Sequence, residues 1–403
     1  MCYIIITQQC TFHSRNLYVS ALHLARVFHR AGHSVILAGK DDFDGYSLPY
    51  FSNHVQTFVP LNSEKSAAQF GEKLLKLWYF NHVDWFVPIL NPNNTEGIFE
   101  AVERMKNCAS KKDLIYADLL LNEPALEMLK PLKFYQECES MGLKVPNYNA
   151  LSQVEHLQQF QSLGLFDNNQ RYYLNSKTKS IPIQVDNLTS VLAKVKEDPE
   201  DQQFVLTNEV TGDKYLANVI CQNGHLLMLQ VIPKRRVSVV NYTPPGIVKW
   251  VTQFVSAKSL SGMFTIEFGV AQQSQETTGI SMLPTIQLPS IFSAQTDREV
   301  AELEKILHGA LNNENANNKP FNPGNRKSYW ICNEIESLVT GQQSLDQFFD
   351  TLQHGNEVLV SRQDPWPFLA LHYLHLPLWI LRKAGKFDFD WSYPDFVEYL
   401  TKE

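Results

Sequence analysis

Residues 262–271 read GMFTIEFGVA and residues 280–290 read ISMLPTIQLPS, with the polar link QQSQETTG closing the interval between them. Two such apolar runs around a turn-rich link are typical of a long β-hairpin. The first predicted strand carries one carboxylate, Glu267, and the second carries Gln287 where a partner acid would face it. Because side chains alternate along a strand, Glu267 shares a face with Thr265. Glu267 is therefore either half of a metal site or a solvated strand residue.

Far upstream of this hairpin, strand and helix patterns alternate over roughly the first 115 residues. Residues 3–6 form a short apolar run, residues 17–28 show helical spacing, Gly32 suits a helix C-cap, and SVILAG follows as a second buried strand. WFVPIL (85–90) is a further strand. This alternation predicts a small doubly wound α/β domain. The first loop has no G-x-G-x-x-G motif, which disfavours a Rossmann dinucleotide site.

The middle of the chain no longer shows this alternation of strand and helix patterns. The segment LEMLKPLKFYQECESMGLKVPNY predicts a helix closed by Gly142 and then an extended stretch. Residues 171–183 and 202–233 are rich in strand formers, with Thr-Gly and Asn-Gly turns at 211–212 and 223–224. TPPGIVKWVTQFVSAKSL predicts a helix opened by proline, directly before the hairpin. Antiparallel sheets are therefore expected after the α/β domain.

Composition narrows the classes of function. A net charge of −7 disfavours a general nucleic-acid binder, which usually shows a basic face. The six cysteines show no metal-ligand spacing and are expected to be buried thiols in a reducing compartment. No apolar run is long enough to span a membrane. We therefore expect a cytoplasmic protein that binds neither nucleic acid nor membrane, with a homodimer left open.

The order of these segments resembles the ATP-grasp superfamily over nearly the whole chain. The resemblance rests on SALHLARVFHRAGHSVILAG, FYQECESMGLKVPN, FVLTNEVTGDKYLANVICQNGHLLML and GMFTIEFGV. The tail, DPWPFLALHYLHLPLWIL followed by FDFDWSYPDFVE, is similar to the mycosporine-glycine-synthase-like ligases. The expected fold is α/β (α+β overall), an ATP-grasp fold with a pre-ATP-grasp domain at 1–118, a central subdomain at 119–205 and a C-terminal subdomain at 206–403.

The resemblance implies ATP held between two antiparallel sheets, with Mg²⁺, and a small carboxylate activated as an acyl phosphate before an amine displaces the phosphate. Such chemistry needs cations against the triphosphate and oxygen ligands for the metal. One family lysine begins the helix that ends in G-L-x-V-P, where this chain has Pro131 preceded by Lys130. A second lysine position is Asn175, with Lys177 two residues further on. The hinge residues implied for adenine or ribose are Thr207, Asn208, Glu209 and Asp213.

The metal pair departs most from the family pattern. Glu267 matches the first acid of the family's hairpin. The second strand would read Ile-Glu-x-Asn-Pro-Arg in the family, whereas this chain has Gln287 for the acid, Pro289 for the asparagine and no arginine. A glutamine oxygen still coordinates Mg²⁺ but adds no negative charge, which weakens a hard-cation site. The arginine lost is a bidentate clamp for phosphate or carboxylate.

Two functions follow from this mixture. The retained order of segments favours an ATP-dependent carboxylate–amine ligase that acts on a small amino-acid-like substrate. The lost signatures favour a catalytically degenerate relative that keeps nucleotide affinity or serves as an interaction module. His13 and Arg15, after the first strand, are either substrate contacts at the edge of the sheet or surface residues. A Rossmann-like transferase fits poorly, because the middle of the chain is rich in strands.

Overall fold

The structure is a computed structural model, and the residues that it describes are 3–8, 15–39, 48–61, 67–80, 83, 85–89, 115–116, 121–151, 171–175, 180–183, 204–233, 244–271, 276–283, 302, 305–306, 328–329, 334, 338, 341, 343–354, 356–357, 360, 363–370 and 373. The chain divides into two compact units. The first comprises residues 1–120, 232–242 and 285–403. The second comprises residues 121–231 and 243–284.

A five-stranded parallel sheet of order β3-β2-β1-β4-β5 forms the centre of the first unit. Its strands are β1 (Tyr3–Gln8), β2 (Ser34–Gly39), β3 (Thr57–Pro60), β4 (Trp85–Ile89) and β5 (Ile115–Tyr116). Among the described residues before residue 90, this unit also has the helices α1 (Arg15–Arg30) and α2 (Ala67–Phe80) and a short 3-10 helix at Leu48–Phe51. Strand order reverses between β1 and β4, which is the doubly wound arrangement predicted for this region.

The helix α1 ends as its sequence predicts. Gly32 has a φ of +91°, a conformation that glycine adopts without steric cost. The amide of Gly32 donates to the carbonyl of His29, and that of His33 donates to the carbonyl of Phe28. These bonds satisfy carbonyl groups that the helix end leaves open. The chain then turns directly into β2, whose six residues are all buried.

The second unit contains two four-stranded sheets. The sheet with the shorter strands, called here the hinge sheet, has the order β6-β9-β7-β8 and is antiparallel throughout. Its strands are β6 (Tyr148–Leu151), β7 (Tyr172–Asn175), β8 (Ser180–Ile183) and β9 (Phe204–Asn208). The other, called here the hairpin sheet, has the order β11-β10-β12-β13. Its strands are β10 (Asp213–Gln222), β11 (His225–Pro233), β12 (Gly262–Val270) and β13 (Thr277–Leu283).

The predicted hairpin is confirmed as the antiparallel pair of β12 and β13. Its link is shorter than predicted, because Thr277, Thr278 and Gly279 belong to β13. Both threonines have the β-branched side chain that packs well on a sheet, and this outweighs the turn tendency of the glycine. The register shifts between Glu267 and Phe268, which marks a β-bulge at the acidic residue.

The predicted single helix before Gly142 is wrong, because the structure has two helices. They are α3 (Glu123–Glu127) and α4 (Pro131–Ser140). Lys130 precedes a proline and takes an extended backbone, since the proline ring disfavours helical geometry in the residue before it. The closure by Gly142 is confirmed by its φ of +69° and by the bond from the amide of Leu143 to the carbonyl of Cys138.

An aromatic core joins α4 to α5 (Pro245–Ala257) and the hairpin sheet. The ring of Phe134 lies 5.6 Å from that of Phe254, and Trp250 lies 5.0 Å from Phe268 in an edge-on contact. These side chains are buried to at least 96%. Large buried aromatic rings contribute much of the apolar area that stabilises a core. The core therefore fixes the face of β12 that is opposite to Glu267.

Among the described residues of the first unit after residue 285, four short elements occur. They are β14 (Ser328–Tyr329), α6 (Leu345–His354), β15 (Asn356–Glu357) and α7 (Trp366–Ala370). Most of the apolar tail segment FLALHYLHLPLWIL (368–381) lies outside the described residues. Within the described part of the chain, no helix has the length and apolar character needed to cross a bilayer.

A buried polar cluster, called here the Asp364 cluster, holds the start of α7 in the first unit. The Oδ2 atom of Asp364 accepts from Ser52 Oγ at 2.7 Å and from Arg26 Nε at 3.2 Å, and Oδ1 accepts from the amide of Asn53 at 2.8 Å. His54 Nδ1 lies 3.3 Å from Oδ2 in an electrostatic contact without hydrogen-bond alignment. Burial favours the neutral acid, but His54, Arg26 and Ser52 outweigh it and hold the pKa of Asp364 at about 2.

Candidate functional site

The hairpin sheet has one apolar face and one polar face. On β10 and β12, the register places Leu216 opposite Glu267 and Asn218 opposite Thr265. Paired residues in an antiparallel sheet point to the same side, so these four side chains share the face that we call the Glu267 face. The other face carries Phe268 against Trp250. A sheet packed on one side leaves its second face available for other contacts.

The end of the hinge sheet brings together polar side chains from β7 and β9. Thr207 lies opposite Tyr173 in the register of these strands. Its hydroxyl accepts from Asn175 Nδ2 at 2.9 Å, and Thr207 is 4% exposed. Asn175 occupies the position where the family resemblance implies a lysine. Here its amide fixes the hydroxyl of a hinge residue instead of supplying a charge.

The hinge runs from β9 to β10 through Glu209 and Gly212. The amide of Glu209 donates to the carbonyl of Arg171 at 2.7 Å, which holds the backbone of the hinge against β7. Gly212 has a φ of +111°, and a Cβ atom there would lie 2.2 Å from the carbonyl oxygen of Val270. Only glycine fits this conformation and this approach of two backbones. In place of the turn predicted at 211–212, the structure has a bend at Gly212 that links two different sheets, and this bend keeps the hinge next to the end of β12.

Two tyrosines lie within electrostatic range of Glu267. The hydroxyl of Tyr173 lies 3.4 Å from Glu209 Oε1. Burial raises the pKa of Tyr173, and the charges of Glu209 and Glu267 raise it further. Burial and then the charge of Glu267 also raise the pKa of Tyr135, whose hydroxyl donates to the carbonyl of Ile280 at 2.8 Å. The hinge and the hairpin therefore each place a carboxylate within electrostatic range of Tyr173, and the region around these three residues is called here the cleft.

Deeper on the Glu267 face lies a buried pair of polar side chains. Thr265 Oγ1 and Asn218 Oδ1 are 2.6 Å apart, and both residues are fully buried. Asn218 Nδ2 is also buried and has no hydrogen-bond partner among the residues that the structure describes. An amide N–H left without a partner in the interior costs about 1–3 kcal/mol. Such a group in a folded protein calls for a partner such as a ligand or an ordered water.

The implied cofactor and metal residues lie in different parts of the structure. Thr207 and Glu209 lie together with Asn175 and Tyr173, as described above. Asn208 pairs with Tyr172 through the backbone, and Asp213 is an exposed residue at the start of β10. Lys130 is half-exposed at the start of α4, with Nζ 2.7 Å from Glu127 Oε1. Lys177 and Gln287 lie outside the described residues, as does His13.

Several residues of the cleft escaped the sequence analysis. Tyr173 and Tyr135 sit in segments that were interpreted only as strand and helix. Lys214 lies opposite Gly269, which places its side chain on the Glu267 face as well. The signal for these residues is the pairing register, because it decides which side chains share a face. A single sequence gives the alternation along each strand but not the partner of each residue.

The expected buried thiols are confirmed where the structure describes them. Cys138 and Cys221 are free and fully buried. Burial raises the pKa of both thiols, and the charge of Glu137 adds to this at Cys138. A thiolate is the reactive form of cysteine, so neither side chain is poised as a nucleophile.

Glu267 is suited to a cation that arrives with a phosphate ligand. Mg²⁺ is commonly held by one or two carboxylates together with substrate phosphates and water. Ser281 lies opposite Glu267 on β13, so a hydroxyl oxygen is on the same face. No group of three or more histidine, cysteine, aspartate or glutamate side chains with metal-binding geometry occurs among the described residues. The donor set thus fits a metal shared with a ligand, with Glu267 as its protein carboxylate.

Solved structures of other proteins share this architecture over about three quarters of the chain. The L-amino acid ligase from Bacillus licheniformis superimposes with a TM-score of 0.53 at 15% identity, covering 77% of this chain and 74% of that chain. Biotin carboxylase from Campylobacter jejuni, solved with an ATP analogue, gives a TM-score of 0.56 at 11% identity over 76% and 70% of the two chains. This chain has the ATP-grasp fold.

A third solved structure is matched over nearly its whole length. D-alanine–D-alanine ligase from Bacillus anthracis, solved with ATP, gives a TM-score of 0.50 at 13% identity, covering 77% of this chain and 98% of that chain. No protein-family model matches the sequence, and no curated protein matches it either. At identities this low, the ATP-grasp likeness concerns the fold alone. The activity has to be argued from the residues of the cleft.

Proposed function

We propose that this ATP-grasp protein is an ATP-dependent carboxylate–amine ligase that acts on small amino-acid-like substrates. The observation that carries the proposal is the convergence of Glu209 and Glu267 on Tyr173 between the hinge and the hairpin. The name of the Bacillus licheniformis structure, an L-amino acid ligase, supports the substrate class. The resemblance of the tail to mycosporine-glycine-synthase-like ligases supports it too, although most of that segment lies outside the described residues.

The residues of the cleft have distinct roles in this proposal. The hinge backbone and Glu209 would contact the adenosine, at the bend that Gly212 holds against the end of β12. Asn175 and Thr207 fix the hinge strand in place through their 2.9 Å hydrogen bond. Glu267 would hold Mg²⁺, which supplies charge neutralisation for the transferring phosphoryl group. Positioning and charge stabilisation are the main protein contributions to phosphoryl transfer.

The test is thermal unfolding of the full chain with ATP, in the presence and absence of Mg²⁺, for the wild type and for Glu267→Gln. A ligand at about a hundred times its dissociation constant adds about 2.7 kcal/mol of stability. Glu276→Gln is the matched control, since Glu276 is on the same hairpin but is 51% exposed and paired with Lys144. We expect a Mg²⁺-dependent stabilisation that Glu267→Gln loses and Glu276→Gln keeps.

The outcomes separate the candidates. A Mg²⁺-dependent shift would be followed by a screen of amino-acid pairs for phosphate release from ATP. Phosphate release that no amino-acid pair increases would contradict the ligase proposal. Absence of any shift with ATP would overturn nucleotide binding. Loss of the shift in both glutamate variants would indicate a general electrostatic effect instead of a role for Glu267.

A second candidate function is a catalytically degenerate nucleotide-binding or interaction module. The observation that favours it is Asn175, a neutral side chain already engaged with Thr207 at the position where the resemblance implies a lysine. Losing this cation removes charge complementarity for a triphosphate. This candidate predicts stabilisation by ATP that is unchanged when Mg²⁺ is removed and unchanged in Glu267→Gln.

A further inference from the structure

The cleft needs a cation for a phosphorylated ligand, and the strand β10 offers one. Asn175 on β7 is neutral and hydrogen-bonded to Thr207. Glu209 and Glu267 add two negative charges around Tyr173. A polyphosphate is disfavoured beside carboxylates unless cationic or N–H donors accompany it. The side chains on the Glu267 face therefore decide whether this cleft accepts an anion.

Lys214 is placed to supply the charge. It lies opposite Gly269 on β12, two residues from the position of Glu267. Diagonal neighbours of this kind are about 7–8 Å apart, within reach of a long side chain. The facing residue is Gly269, and the side chain of Val210 occupies the space that a Cβ atom of Gly269 would fill, so Lys214 packs beside Val210 on this face. Its half-buried position lets the aliphatic stem pack while the ammonium group approaches the cleft.

A second donor lies on the same face of the same strand. Asn218 follows Lys214 by four residues, so the two side chains point to the same side. Asn218 is fully buried, and its Nδ2 has no hydrogen-bond partner among the described residues. The two donors thus flank Leu216, the residue that faces Glu267. The face shared by β10 and β12 thus carries the ammonium group of Lys214, the carboxylate of Glu267 opposite Leu216, and the amide of Asn218.

We propose that Lys214 is the phosphate-binding cation of this chain, replacing from β10 the charge that Asn175 does not provide from β7, with Asn218 as an accompanying donor. The inference rests on the proposed nucleotide binding and names the contact that selects phosphorylated nucleotides. It differs from the family pattern, in which the lysine is on the strand matched by β7. The ligand class is a nucleoside polyphosphate with Mg²⁺.

The experiment measures the affinities of adenosine, ADP and ATP for the full chain, with Mg²⁺, by calorimetric titration. Lys214→Met removes the charge and keeps the stem, and Lys214→Arg keeps a charge. Lys249→Met is the matched control, since Lys249 is exposed on α5. A hydrogen bond to a charged group contributes roughly 1.5–3 kcal/mol, about 10- to 150-fold in affinity. We expect Lys214→Met to lose at least about tenfold in ATP affinity and to change adenosine affinity less than about twofold.

The experiment distinguishes failure of the proposed function from failure of the role proposed for Lys214. A wild type that binds none of the three ligands overturns the proposed function and this inference with it. A wild type that prefers ATP to adenosine, with the same preference in Lys214→Met, overturns the role of Lys214 and leaves nucleotide binding intact. Equal losses for adenosine and ATP would also contradict it, because Lys214 would then support the fold or the base. Retention of the ATP preference in Lys214→Arg, with its loss in Lys214→Met, supports a charge contact.

Discussion

Asp364 in the first unit and Asn218 in the second are both fully buried polar side chains, but their surroundings differ. Asp364 accepts three hydrogen bonds through its carboxylate, from Ser52, Arg26 and the amide of Asn53. Asn218 uses its Oδ1 with Thr265, while its Nδ2 has no partner within the described part of the chain. A buried group with a complete set of partners stabilises the fold. A buried group without a complete set calls for a further partner, such as an ordered water or a ligand.

Breaking the Asp364 cluster is expected to have the largest effect. Asp364→Asn leaves the guanidinium of Arg26 buried without its carboxylate, and removal of one partner from a buried ion pair costs about 3–5 kcal/mol. The free energy of unfolding from guanidinium denaturation measures this loss. Asp346→Asn, at an exposed site in the first turn of α6, is the control and should lose less than about 1 kcal/mol. Equal losses in the two variants would show that the contacts of Asp364 add no more stability than an exposed aspartate does.

The same cluster predicts a pH dependence. The pKa of Asp364 falls from 3.8 in the unfolded chain to about 2 in the folded protein. A depressed pKa gives stability that is present above the unfolded value and is lost as the pH falls through the folded one. The carboxylate therefore contributes about 2 kcal/mol near neutrality, lost between about pH 5 and pH 2.

The measurement is the difference in unfolding free energy between the wild type and Asp364→Asn, because other carboxylates titrate in both proteins. This difference should be largest above about pH 5 and should shrink steadily towards pH 2. A difference that stays constant over this range would mean that the charge of Asp364 is not coupled to folding. Cooperative unfolding of the first unit should be verified with a second probe at each pH.

The Asn218 pair should behave in the opposite way. Replacing both partners with apolar residues of similar shape, as in Asn218→Leu combined with Thr265→Val, is expected to leave stability unchanged or raise it by about 1 kcal/mol. The single variant Asn218→Leu removes the acceptor of Thr265 and should lie below the double variant. Unfolding free energies of the two variants and the wild type decide this. A loss above about 2 kcal/mol in the double variant would show that the pair is structural, like Asp364.

The fold was predictable from the sequence to the extent that periodicity and turn residues express it. The strand β2, the helix α1 and the hairpin of β12 with β13 follow from apolar spacing that matches a single element each. The break between α3 and α4 was missed because the apolar spacing continues across it. Pro131 ends that pattern locally, as a proline disfavours helical geometry in the residue before it.

The candidate site was less predictable, for two physical reasons. A resemblance transfers positions, so it led to Lys130 and to the place of Asn175, but it does not show which side chains of other strands lie on the same face. Lys214 and Tyr173 join the cleft through register and through the path between strands, which depend on tertiary packing. The importance of Asp364 was missed for the same reason, because its partners are about 310 and 340 residues away in the sequence.

The smallest effect on stability is expected at Glu267. In the absence of ligand, Glu267→Gln should change the free energy of unfolding by less than about 1 kcal/mol, because the side chain is only partly buried and glutamine keeps its shape. Glu276→Gln, on the exposed part of the same hairpin, should give a similarly small change. Guanidinium denaturation of the two variants provides the measurement. A loss as large as that of Asp364→Asn would mean that Glu267 is bound into the fold like Asp364, which would remove it as a residue reserved for a ligand.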